Sequence, residues 1–395
     1  MTEVRRIINL DALRGFALFG ILLVNILAFS STRYGEGVAD AARSGLDVTL
    51  GLIVSGVFEL KFYLLFSVLF GYSLTLQMQS AAKARASFFP RILRRQAGLF
   101  VIGLMHAVLF FHGDILTTYA LLGLVLLVFY KVQDRWLIAG AVILIVLTAC
   151  LWLALAALQA QAPSTTDPVL IEQTARRAAT AYRDSPASIM RQHLSDLAEF
   201  APLLMMLQAP CAFAMFLIGF MLGRRRFLET PQSYQPTLRI SLLVGLLIGL
   251  PGAAAYAVAT QFLPGTAWET AALGLSILTA PLLSLAMASG LFLIFDSGRM
   301  GAAIQYLASA GRMALSNYLM QSVACALIFH GYGLRLLNHM GLAQVLTLAV
   351  AIYVAQLALS RWWLKRWRYG PVEWLLRAVT ISGWPQWRLD AAQKT

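Results

Sequence analysis

The stretch His106-Ala107-Val108-Leu109-Phe110-Phe111-His112-Gly113-Asp114 places two imidazoles and a carboxylate in otherwise apolar surroundings. An imidazole is the general base best matched to neutral pH, and a carboxylate can fix its tautomer and stabilise its charged form. On an unbroken helix Asp114 would stand about 80° around the axis from His106, at ~100° per residue. A chain reversal at Gly113 removes that obstacle and lets Asp114 face back toward His106. With the reversal, His106 reads as a base and Asp114 as the acid that orients it. The other reading of His106 is a structural histidine bonded to a neighbouring helix. His112 lies nearer the end of the apolar run and is the weaker candidate.

Three further groups carry polar chemistry. Asp11 and Arg14 are three residues apart, so on a helix they share a face and can neutralise each other at a membrane entry. They lead into an apolar run that contains the amide of Asn25. A helix cap with an orienting arginine is the simpler reading of that pair. Arg312 and Ser316 are four apart, as are Asn317 and Gln321, giving one helix adjacent polar stripes. Such stripes either bond helices together or line a path or acyl-donor channel, with Arg312 at its cytoplasmic mouth. Finally, Gly370-Pro371-Val372-Glu373-Trp374 through Arg377 reads as an interfacial helix, with salt bridging to the arginines near Arg94. Walker, dinucleotide, His-Glu-x-x-His and Gly-x-Ser-x-Gly motifs are absent from the sequence. The five histidines have no ligand spacing, so no metal site is expected.

The elements that position these groups follow from composition. A chain of 395 residues that is 59% hydrophobic and 12% charged is expected to be all-α and polytopic, embedded in membrane lipid. Runs long enough to cross a bilayer lie at 13–29, 58–79, 93–111, 115–130, 136–158, 201–222, 240–262, 270–295, 313–330 and 343–364, which makes about ten spans. With both termini cytoplasmic, most of the 31 lysines and arginines fall inside. The inner groups include Lys83, Arg85, Arg91, Arg94 and Arg95, then Arg224 to Arg226 and Arg239, and last Arg361, Lys365, Arg366 and Arg368. The net charge of +13 therefore reflects membrane orientation rather than a nucleic-acid partner. Arg5, Arg6 and the following apolar run could form a cleavable signal with Ala28-Phe29-Ser30 as a poor cleavage site, but retention as the first span is favoured.

The whole chain, 1–395, reads as one integral membrane domain. Residues 159–200 form an external loop whose middle, 169–197, has apolar residues at helical intervals, so that it is either a passive loop or one or two amphipathic helices. Residues 30–57 carry Arg33, Tyr34, Glu36, Asp40, Arg43 and Asp47, then a segment that re-enters or lies flat. Residues 365–395 form a basic cytoplasmic tail. Pro251-Gly252 and Pro281 fall inside spans and are expected to kink them. Cys150, Cys211 and Cys325 lie in separate apolar runs and read as buried hydrophobes.

The chain resembles the YeiB family of bacterial inner-membrane proteins, whose C-terminal part is labelled a domain of unknown function. The stretches that carry the resemblance are 10–21 (beginning Leu10-Asp11-Ala12-Leu13-Arg14-Gly15), 65–71, 113–116, 311–322 and 370–377. That family is similar in turn to the transmembrane acyltransferases typified by the lysosomal heparan-alpha-glucosaminide N-acetyltransferase. Those share an Asp-x-x-Arg-Gly entry and a later Val-Asn, matched here by Asp11, Arg14, Gly15, Val24 and Asn25. The resemblance implies an inner-membrane enzyme that moves an acyl group from cytoplasmic acyl-CoA, its co-substrate, to an acceptor outside. It also implies a basic inner face for the CoA phosphates, to which Arg94 and Arg95 are assigned, and it is compatible with a homodimer.

One departure bears on mechanism. The lysosomal enzyme has its catalytic histidine in the loop after the first span, and residues 30–57 here contain none. Either His106 supplies the base, with Asp114 orienting it and Asn25 binding the reacting carbonyl, or the fold is kept without that chemistry. A transporter with a path lined by Asp114, Arg312, Asn317 and Gln321 is the competing expectation.

Overall fold

Long apolar segments in lipid must satisfy every backbone polar group internally, which leaves helices as the structure they can form. A computed structural model describes residues 3–32, 44–161, 168–227, 231–296 and 301–389, and no strand occurs among them. The helices are α1 (Glu3–Ser30), α2 (Gly45–Ile53), α3 (Lys61–Lys83), α4 (Phe88–Leu109), α5 (Leu116–Leu126), α6 (Asp134–Gln161), α7 (Pro168–Arg183) and α8 (Pro186–Leu203). They continue as α9 (Ala209–Arg224), α10 (Pro231–Val244), α11 (Leu250–Phe262), α12 (Ala267–Asp296), α13 (Gly301–Arg312), α14 (Ala314–Phe329), α15 (Leu342–Leu364) and α16 (Pro371–Ile381).

Eight helical segments among the described residues are long and apolar enough to cross a bilayer, so the chain is a multi-pass membrane protein. The expected spans at 115–130 and 313–330 correspond to the shorter apolar helices Leu116–Phe129 and Ala314–Phe329. Apolar side chains cover the outside as well as the core. Val142, Ile143 and Leu147 on α6, with Leu246, Leu247 and Ile248 beside α11, are exposed as lipid contact requires.

α1 runs through the centre and packs against α3, α13, α14 and α15. Its closest approach is to α13. A Cβ on Gly311 would lie 1.8 Å from the Asp11 carbonyl oxygen, and one on Gly15 would lie 2.1 Å from that of Leu307. The backbones touch there, in the small-residue manner of membrane helix pairs. The hydroxyl of Tyr353 on α15 donates to the Gly15 carbonyl at 2.6 Å.

α1 defines two faces of the bundle, an Asp11 face at its start and a Ser30 face at its end. Of the 30–57 stretch, residues 33–43, with Arg33, Tyr34, Glu36, Asp40 and Arg43, lie outside the described residues. From Ser44 the chain is helical, opened by a Ser44–Asp47 capping box and ended by a π-helical turn, Val54–Phe58. This segment packs on α11, where Gly51 meets Gln261 and Gly56 meets Ala257. Leu60, at φ 64°, breaks the helix before α3.

Of the 159–200 stretch, residues 162–167 lie outside the described residues, and the rest holds the end of α6, then α7 and most of α8, which close over residues 330–340 on the Ser30 face. Tyr182 O accepts from Gly331 N at 2.8 Å, and Ser30 O accepts from Asn338 N at 2.8 Å. A π-helical turn, Gly245–Gly249, precedes Pro251, whereas α12 runs unbroken across Pro281. Cys211 and Cys325 are buried, but Cys150 faces outward from α6, where a thiol behaves as one more small apolar group.

Candidate active site

The chain reverses between α4 and α5, and the reversal brings Asp114 back onto His106. His106 Nδ1 lies 2.8 Å from Asp114 Oδ1, and His106 Nε2 lies 2.8 Å from Ser322 Oγ on α14. The second carboxylate oxygen, Asp114 Oδ2, accepts from Thr117 N at 2.8 Å, which ties Asp114 to the first turn of α5. A carboxylate only accepts, so Asp114 accepts a hydrogen bond from Nδ1–H and leaves the Nε2 lone pair facing the Ser322 hydroxyl. All three side chains are buried. Gly103 on α4 makes room for this, since a Cβ there would lie 2.7 Å from Thr117 N and 2.9 Å from Asp114 Oδ2.

A cavity of about 430 Å³ opens toward the Asp11 face and stops just short of this relay. Its interior is apolar, with Leu18, Ile21, Leu69, Phe70 and Leu99. Its deep end is Tyr318, whose ring centroid is 4.9 Å from that of His106. Its rim carries Arg14, Arg91, Arg95, Arg312 and Arg377 against the carboxylate of Glu373. Arg14 pairs with Asp11 at 2.5 Å and reaches Ser73 on α3. The Nε of Arg95 is buried without a hydrogen-bond partner among the described residues. Such a group is costly unless something binds it.

Glu373 couples α16 to α14. It accepts from Leu315 N at 2.7 Å, from Ser316 N at 3.0 Å and from the Ser316 hydroxyl, whose oxygen in turn accepts from Val372 N at 3.0 Å. Burial pushes the Glu373 carboxyl up from the usual range, with these hydrogen bonds opposing.

A second polar cluster lies on the Ser30 face. Histidines that are far apart in sequence meet there: His193 stands 6.2 Å from His112 and 5.5 Å from His330, ring to ring. Tyr182 stacks on His330 at 4.8 Å and donates its hydroxyl to Asp196. A cavity of about 80 Å³ runs among these groups and Phe111. Phe111 is the partition, with its ring 6.3 Å from that of His106 and 5.3 Å from that of His112.

Burial lowers His330 to about 3, helped by His193 and His112, and it lowers His112 as well, against the pull of Asp196. Unfolded histidine titrates near 6.5. The folded state therefore excludes protons that the unfolded state takes up, and stability falls as pH drops from about 6.5 toward 3. Scanning fluorimetry in detergent is expected to give a lower midpoint at acid pH than at neutral pH, and a smaller difference in His330→Gln. An equal difference in that variant would contradict the assignment.

The other sequence candidates separate into two groups. Asp11, Arg14, Arg95 and Arg312 stand at or beside the cavity rim, where Arg312 also donates to Arg368 O at 3.3 Å. Arg94 is not among the lining residues and donates Nε to the backbone oxygen of the rim residue Thr380 at 3.2 Å. Ser316 is taken up by Glu373. Asn317 bonds Ala310 O at 3.0 Å and Ser360 at 2.9 Å, and Gln321 bonds Gln356 at 2.9 Å, so both stripe residues clamp α14 to its neighbours. Asn25 is half-buried on α1 and is joined to neither His106 nor Asp114. Spacing in the sequence does not reveal the roles of Ser322, Tyr318 and the three-histidine cluster, which depend on contacts between distant elements. Ser322 does carry one signal, since it continues the polar run of Ser316, Asn317 and Gln321 on the same helix.

Relatives match this chain over nearly its full length. The family model described as "Protein of unknown function (DUF418)" matches residues 222–383. The uncharacterized protein YxaH of Bacillus subtilis (strain 168) is 31% identical over 395 residues, covering 96% of this chain and 95% of its own. The uncharacterized protein YeiB of Escherichia coli (strain K12) is 28% identical over 404 residues, covering 96% and 97%. No solved structure matches. A helical bundle built around Asp11-x-x-Arg14-Gly15, with a DUF418 region in its C-terminal half and relatives that span its whole length, belongs to the YeiB-like family of uncharacterized proteins.

Proposed function

We propose that this protein is a membrane-embedded acyltransferase of the bacterial inner membrane, which takes an acyl group from acyl-CoA on the Asp11 face and delivers it to an acceptor on the Ser30 face. The observation that carries this reading is the cavity. It joins a five-arginine rim, suited to the phosphates of CoA, to an apolar shaft that ends one side chain away from a buried histidine–aspartate pair. The positive-inside rule supports a cytoplasmic Asp11 face. The small cavity among Tyr182, His193 and His330 supplies a place for the acceptor on the far side of Phe111. The protein's residues would bind the phosphates at the rim, exclude water along the shaft and hold a proton at His106 Nε2.

A transport path finds less support. Asn317 and Gln321 are bonded to neighbouring helix groups, and Asp114 is held by His106 and Thr117. Tyr318 and Phe111 also close the two cavities from each other.

Calorimetry with acetyl-CoA on purified protein tests the reading. Arg95→Ala is expected to weaken binding on the order of 10-fold or more, as a lost charged hydrogen bond does. Arg94→Ala is expected to leave it near wild type, because that side chain does not line the cavity and its Nε is already bonded to Thr380 O. Equal effects at the two positions would remove the CoA phosphates from this rim.

A further inference from the structure

We propose that Ser322 is the primary nucleophile, and that the acyl group crosses the protein as an ester on Ser322 Oγ in two half-reactions. The proposal rests on the acyltransferase reading and specifies its chemistry.

Three observations carry it. The basic nitrogen His106 Nε2 faces the Ser322 hydroxyl at 2.8 Å, while Nδ1 is held by Asp114 at 2.8 Å. His106 is only 1% exposed, so the hydroxyl it is placed to deprotonate is that of Ser322. Nucleophile, base and orienting acid thus stand in the order that activates a serine, a geometry that recurs on unrelated folds.

Second, α14 connects the two cavities in sequence order. Tyr318 ends the cavity of the Asp11 face, Ser322 follows one turn further, and His330 lines the cavity of the Ser30 face. At ~1.5 Å per residue, Ser322 lies ~6 Å beyond Tyr318 and ~12 Å short of His330. A thioester arriving along the shaft comes to Tyr318 at its deep end, with Ser322 one turn beyond, and an acceptor entering from the other face approaches Ser322 from the far side. Tyr318 and Phe111 flank the imidazole of His106 and stand between the two cavities. Direct attack would need donor and acceptor together in that closed space, whereas a covalent carrier needs them in turn.

Third, the hydroxyl of Tyr318 is buried without a partner of hydrogen-bond geometry among the described residues, the Ile115 backbone lying close by. At the end of the shaft it can donate to the acyl oxygen as negative charge develops there.

In the first half-reaction Ser322 Oγ forms a bond to the thioester carbonyl carbon while His106 Nε2 takes the hydroxyl proton. The C–S bond then breaks, the sulfur takes the proton from His106, and CoA leaves as a free thiol. In the second, an acceptor hydroxyl or amine attacks the ester carbon and gives its proton to His106. The C–Oγ bond breaks and Oγ recovers that proton.

The test uses full-length protein in nanodiscs with acetyl-CoA and no acceptor. Peptide mass spectrometry is expected to find one acetyl group on the Ser322 peptide, and labelled free CoA is expected to exchange into acetyl-CoA. Ser322→Ala is expected to lower exchange by ~10³-fold or more, while Ser322→Cys keeps a nucleophile and retains exchange. If Ser322→Ala does not fold, the wild-type peptide and Ser322→Cys decide the matter. Release of CoA to a panel of small amines and polyols without exchange or acetyl-Ser322 would overturn the covalent step and leave the acyltransferase reading standing. Absence of acetyl-CoA binding and of CoA release by folded protein would overturn both.

Discussion

His106→Ala is expected to lower CoA release from acetyl-CoA by ~10²–10⁴-fold, the range in which a positioned general base contributes. Asp114→Asn is expected to fall within the same range, since an amide can stabilise the wrong tautomer of His106 and turn the Nε2 lone pair away from Ser322. The readout that separates chemistry from folding is acetyl-CoA affinity. The arginine rim does not include His106, so binding should survive while turnover collapses. A variant that binds and releases CoA at the wild-type rate would take His106 out of the reaction. The variant leaves Asp114 with Thr117 as its remaining partner and Ser322 without its imidazole, so some loss of stability accompanies it. Thermal midpoints measured beside the rates keep the two effects distinct.

Gly311→Val is expected to damage the fold severely. Its Cβ would stand 1.8 Å from a backbone oxygen of α1, and backbone cannot turn aside as a flexible side chain can. Overpacking in a close-packed core costs about 1–3 kcal/mol, and contact with main chain puts this site at the upper end or beyond. The damage would also reach the site, because the contacted residue is Asp11, the partner of Arg14 at the cavity rim. Gly140→Ala is the comparison. A Cβ there meets Leu217 at an ordinary 3.6 Å, so the change is expected to be neutral or to gain about 1 kcal/mol from helix propensity. Thermal unfolding in detergent checks both, and equal losses at the two positions would contradict the packing argument.

The helical membrane architecture was legible because hydropathy and the need to satisfy backbone groups in lipid leave few alternatives. The His106–Asp114 contact was legible for a local reason, as both residues flank one short turn with Gly113 in it. Pairings across distant elements were not. Ser322 reaches His106 from 216 residues away, and the histidines at 112, 193 and 330 meet only because α7 and α8 fold over the end of α14. A spacing rule sees none of these. The polar stripe at Asn317 and Gln321 showed the opposite difficulty. Its helical spacing is real, but what it faces depends on Ser360 and Gln356 of α15, and those turn a potential lining into a clamp. Asn25 stands out in the sequence only by its place in a motif, and a motif position does not fix which neighbours an amide meets.

Sidedness is the property that separates a transmembrane acyltransferase from an enzyme working on one face. Membrane vesicles of both orientations, loaded with a panel of small amines and polyols, should be supplied externally with acetyl-CoA labelled in the acetyl group. Labelled acetyl esters or amides are predicted inside everted vesicles, which present the arginine-rimmed Asp11 face to the donor, and neither in right-side-out vesicles nor with His106→Ala. Labelling that is equal in both orientations, or no greater than that of His106→Ala, would contradict transfer across the bundle.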